Sequence, residues 1–89
     1  IKKNSKGPSL EELMKKLEMQ PNNIIIIFET ADKLFSLNDY NNTFKLLLEK
    51  YPKNKEKIKG KILEFFDALG HSHDSTIKYR KKFSQIMFS

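Results

Sequence analysis

His71, His73, Asp74 and Ser75 lie in one short stretch that brings together imidazoles, a carboxylate and a hydroxyl. Two chemistries use these types. Zinc accepts imidazole nitrogen and carboxylate oxygen, but it needs at least three protein ligands in a site of fixed shape. Asp74 is the one nearby third candidate, and its place just before an apolar-periodic segment suits it better to capping a helix. Hydrolysis needs a hydroxyl, an imidazole and a carboxylate converging beside an oxyanion hole. Sequence neighbours at a helix start do not converge in that way. The chain contains no cysteine, which removes disulfides, thiolate metal sites and CxxC redox chemistry. No catalytic residue, metal or cofactor is therefore expected.

The basic residues suggest a different chemistry. The net charge is +6, with 17 Lys and Arg against 11 Asp and Glu, and such a balance attracts phosphate or anionic surfaces. Arg80 is the single arginine, and arginine is the side chain that reads bases through two parallel hydrogen bonds. Specific nucleic-acid recognition is not expected. A basic helical domain associating non-specifically with nucleic acid remains the alternative function. Lys53, Lys55, Lys57, Lys59 and Lys61 recur at every second position, a spacing that scatters charge around a helix and predicts a solvated surface.

The elements that carry these groups read as helices throughout. Residues 1–8 are polar and contain Gly7-Pro8, the composition of a linker from an upstream domain, with the helical domain following over residues 9–89. Ser9 and Glu12 form a capping box, Leu10, Leu13, Met14 and Leu17 make one stripe, and Pro21 ends it. Asn22 or Asn23 caps the next segment, which runs to about Leu37. Its Ile24, Ile25, Ile26 and Ile27 favour a strand by propensity. Phe28, Ala31, Leu34 and Phe35 continue the apolar pattern at helical spacing and decide for helix. Asn38-Asp39 turns the chain into a third helix striped by Tyr40, Phe44, Leu47, Leu48 and Tyr51 and stopped by Pro52. Asn54 caps a fourth, with Ile58, Ile62, Phe65, Phe66 and Leu69 inside and Gly70 after its end. Asp74 caps the last, which shows Tyr79, Phe83, Ile86 and Met87 on one side and Lys78, Lys81, Lys82 and Gln85 on the other. The expected fold is all-α, about five short antiparallel helices. The longest apolar run, residues 24–28, is far short of the ~18 a membrane span needs.

Helices two and three are similar to a tetratricopeptide unit. Ala31 falls where that repeat has a small residue, Tyr40 opens the second helix, Leu47 fills its large apolar position, and Pro52 closes the unit. Thr43 and Asn38 depart from the pattern's small Ala and turn Gly. The C-terminal half, KILEFFDALG over residues 61–70, then Asp74 and YRKKFSQIMFS over residues 79–89, resembles the tail of the YbbN/CnoX family of thioredoxin-like co-chaperones. The resemblance extends over nearly all of residues 9–89. It implies a thioredoxin fold upstream and a role in holding unfolded clients and passing them to chaperone or chaperonin machinery, while the cysteine-free composition fits a bacterial cytoplasm or another reducing compartment.

Candidate binding residues follow. On the inner helix of a tetratricopeptide unit the groove positions are Ile25, Phe28, Asp32, Phe35 and Ser36. Asp32 would repel an acidic peptide and Phe28 offers no donor, so a carboxylate clamp is not expected. Phe28 and Phe35 either contact apolar segments of a partner or belong to the core. The last helix is the candidate docking element, with Tyr79, Arg80, Lys82, Phe83 and Phe88 as its contacts. The competing role for its apolar side is to close the open end of the helical array.

Overall fold

The computed structural model describes residues 8–88, so the expected linker, apart from Pro8, lies outside the described residues. Helix α1 (Leu10–Met19) begins as a reciprocal cap. The Glu12 N–H donates to Ser9 Oγ at 3.2 Å and the Ser9 N–H donates to Glu12 Oε1 at 3.1 Å. That backbone bond from Ser9, more than its hydroxyl, holds the Glu12 carboxyl below the usual glutamate range. Past Gln20, Pro21 has no N–H with which to prolong the helix.

Helix α2 (Ile24–Ser36) is capped by Asn23, whose Oδ1 accepts from the Ile25 and Ile26 N–H groups at 3.0 and 3.4 Å. The isoleucine run is helical. Ile26 and Ile27 are buried while Ile25 is 67% exposed, the periodicity of a helix in which burial overrides β propensity. Asn38 closes the helix with φ 64°, a region asparagine enters more readily than most side chains. The Asp39 N–H then donates back to the Leu34 carbonyl at 2.9 Å. Asp39 also caps α3 (Tyr40–Lys50), accepting from the Asn42 N–H at 3.3 Å.

Tyr51 does not extend α3. It starts a single 3₁₀ turn, Tyr51–Lys53, that carries Pro52. Helix α4 (Lys55–Leu69) follows Asn54, but the Asn54 side chain makes no capping hydrogen bond, a correction to the sequence expectation. Gly70 ends α4 at φ 96°. The second correction is at α5 (Asp74–Met87), where the cap is His73 and not Asp74. His73 Nδ1 accepts the Ser75 N–H at 3.0 Å. Asp74 instead places its charge in the first turn, where the helix dipole favours it.

Side-chain contacts sort these helices into two layers. Phe35 of α2 stacks on Phe65 of α4 at 4.3 Å between centroids, so α2 and α4 are neighbours. Helix α3 packs on α2 and α4 from the other side and meets α5 beside it, and α1 packs on α2. The assembly measures 45 × 29 × 16 Å, a slab about two helices thick. Its centre is Phe44 of α3, fully buried, with the rings of Phe66 and Tyr79 each 5.1 Å away. Ala31, the small residue of the repeat pattern, is fully buried in the same cluster. Thr30, Thr43 and Thr76 are buried beside them. Among the described residues every element is helical or a turn, the all-α array expected.

Candidate protein-binding surfaces

Helix α5 divides its expected contacts between two faces. Tyr79 is 2% and Phe83 3% exposed. The Tyr79 ring stacks on Phe44 and its hydroxyl donates to Asn41 Oδ1 of α3, while Phe83 meets Tyr51 edge-on at 5.1 Å. These two residues seat the helix on α3 and the 3₁₀ turn, so they reach a partner only through the surface they position. Arg80, Lys81 and Lys82 are exposed, and Phe88 is 82% exposed after the last turn. Consecutive on the helix, these three cations spread around α5, and exposed cations with an exposed aromatic ring are what docking uses.

Phe28 and Phe35 sit on the α2–α4 layer, both half-buried. Phe35 is held by the Phe65 stack and by Tyr40 at 5.2 Å. Phe28 lies beneath Lys61, whose Nζ is 5.5 Å from the Phe28 centroid and 5.0 Å from that of Phe65. The same ammonium is 2.8 Å from Asp32 and 3.4 Å from Glu64. Partial burial draws the Lys61 pKa down, but the Asp32 hydrogen bond and charge, with Glu64, outweigh it and hold the group above the usual lysine range. The cation on this face is thus already matched by Asp32.

The every-second-residue spacing groups Lys61 with solvated lysines, and the structure sets it apart from them. A signal for this exists in the sequence: Ile58, Lys61, Ile62 and Phe65 share one helical stripe at i, i+3, i+4 and i+7. The other lysines of that run are exposed. The histidines take structural positions. His71 Nε2 is 3.4 Å from Asp67, and the His73 ring meets Tyr40 edge-on at 5.4 Å. Among the described residues no group of three or more His, Cys, Asp or Glu could hold a metal ion. No helix among them is long and apolar enough to cross a membrane.

Two grooves run along the layer of α1, α3 and α5. One, of about 610 Å³, lies between α1 and α3 and is lined by Leu10, Met14, Leu17 and Leu46 with polar groups at its rim. The other, of about 690 Å³, lies between α3 and α5. A family model described as tetratricopeptide repeat matches residues 3–88. No curated protein and no solved structure matches the chain.

Proposed function

The chain belongs to the tetratricopeptide repeat family, and from that membership we infer that it is a non-catalytic protein-binding module. Tetratricopeptide repeats generally mediate protein–protein interaction, and their domains are typically scaffolds. The side chains first considered for chemistry have structural contacts: His73 caps α5, His71 lies 3.4 Å from Asp67, and Lys61 pairs with Asp32.

The finer reading is a co-chaperone domain of the YbbN/CnoX kind, which holds unfolded clients and hands them to the chaperonin in a bacterial cytoplasm, with a thioredoxin-like domain upstream. Its support is the resemblance of residues 61–70 and 79–89 to that family's closing helices. The single observation that carries the docking role is the exposed C-terminal part of α5, where Arg80 and Lys81 are exposed and Phe88 is 82% exposed.

The test has two arms. Light scattering follows a chemically unfolded reporter protein with and without the 89-residue chain, and chaperonin capture is compared between parent, Arg80→Glu and Phe88→Ser. Suppressed aggregation, and capture weakened about tenfold in the variants, is expected. A folded parent that captures neither unfolded protein nor chaperonin at micromolar concentration overturns the reading. Coding sequence upstream of Ile1 that specifies no thioredoxin fold would remove the kinship while leaving the binding module.

A further inference from the structure

The groove between α3 and α5 differs in charge from the α2–α4 face. Its floor is Leu48, Tyr79 and Ile86, and its rims carry Lys45 from α3 with Lys78 and Lys82 from α5. Lys61 on the opposite layer is matched by Asp32 at 2.8 Å. Lys45, Lys78 and Lys82 have no ion-pair partner among the described residues. Lys78 lies along the groove wall with Nζ 5.2 Å from the Tyr79 centroid. One carboxylate, Glu49, shares the rim, so three lysines against it leave a local charge of +2.

A strip of apolar floor between rows of cations suits an amphipathic helix, with apolar anchors below and carboxylates on both flanks. The flanking helices have the length for it: α5, with 14 residues, runs about 21 Å at 1.5 Å per residue. A nucleic-acid strand fits less well. It would need exposed rings for its bases to stack on, and here the Tyr79 ring is buried. Glu49 would also repel its phosphates.

We propose that the α3–α5 groove binds an acidic amphipathic helix of a partner protein, seating leucine-like anchors on Leu48 and Ile86 and pairing carboxylates with Lys45, Lys78 and Lys82. This rests on the reading of the chain as a protein-binding module and specifies the partner's chemistry. It uses the layer of α3 and α5, not the face that carries Phe28 and Phe35.

The test uses three labelled probes on the 89-residue chain. The first is a helix-forming peptide of about four turns with a leucine stripe and glutamate flanks. The second carries lysine at each glutamate position, and the third is a short single-stranded oligonucleotide. Fluorescence anisotropy gives affinities, and amide chemical shifts locate the contact. The acidic peptide is expected to bind at least about tenfold more tightly than the basic one, and less tightly as salt rises. The Lys78→Glu/Lys82→Glu double variant and Ile86→Ser are expected to weaken it about tenfold, with helix content by circular dichroism unchanged. Equal binding of the two peptides, shifts confined to α2 and α4, or tighter binding of the oligonucleotide overturns the proposal. If the acidic peptide fails while unfolded protein or chaperonin is still captured, the groove assignment falls and the binding module stands. If no protein probe binds, both fall.

Discussion

Replacing Thr76 by valine is expected to stabilise the fold, because Thr76 is a buried hydroxyl without a partner among the described residues. Three threonines are fully buried, and two of them are satisfied in the same way. Thr30 Oγ1 donates to the Ile26 carbonyl and Thr43 Oγ1 to the Asp39 carbonyl, each at 2.8 Å and each to the residue four earlier. Thr76 is the third residue of α5 after its cap, so the residue four earlier, Ser72, precedes the cap and lies off the helical path. Its Oγ1 has no hydrogen-bond partner among the described residues. Valine has nearly the same shape and a similar helix propensity, so the change mainly removes a desolvated hydroxyl. The gain is about 1–2 kcal/mol. With an m-value of about 1 kcal/mol/M in urea, the midpoint should rise by about 1–2 M at unchanged m. Thr30→Val and Thr43→Val give up a hydrogen bond and should be neutral or cost up to about 1 kcal/mol. A Thr76→Val protein that melts earlier than the parent, or the same gain at Thr30, would refute the reasoning.

Two glycines should respond to alanine with opposite signs. Gly60 lies inside α4 with open space where an alanine methyl would sit, so Gly60→Ala should add about 0.5–1 kcal/mol in urea melts. Gly70 has equal space but φ +96°, so Gly70→Ala should cost about 1–3 kcal/mol from backbone strain alone. His73→Ala should remove the α5 cap at a cost of about 1 kcal/mol, read as faster amide exchange at Ser75. For Lys61 the folded pKa lies above the unfolded one, so its contribution is full below the ordinary lysine range and fades as pH rises through the folded value. Lys61→Met keeps an unbranched side chain of similar length, so parent and variant should differ by a roughly constant amount, under about 1 kcal/mol, at neutral pH, with the difference shrinking as pH rises through the folded Lys61 pKa.

Helix existence is legible because each segment states its own period. Ser9 with Glu12, the stripe through Phe44 and Leu47, and the Asn38-Asp39 turn all act within a few residues, the range over which sequence alone is informative. Tyr51 continues the stripe of α3 and so reads as part of it; the stripe records burial, and a buried residue can sit equally well in the 3₁₀ turn that Pro52 imposes. His73 displaces Asp74 as cap because an imidazole nitrogen can also accept a backbone N–H, while the ring meets Tyr40 at the start of α3. Contacts between distant segments are the least legible. The residue type of Tyr79 suggests a partner contact, yet Asn41, 38 positions earlier, receives its hydroxyl and Phe44 its ring. Nothing local to residue 79 announces either partner. The pairing of Lys61 with Asp32 is hidden for the same reason.

Each helix finds most of its packing with the next one or two along the chain: α1 on α2, α2 on α3, and α3 on α4 and α5. Few large loops must close before burial begins, so the search for the native state is short. Folding should occur on the microsecond-to-millisecond scale typical of helical proteins with local contacts. Helix α1, gripped mainly by α2, should be the first to detach and the last to dock.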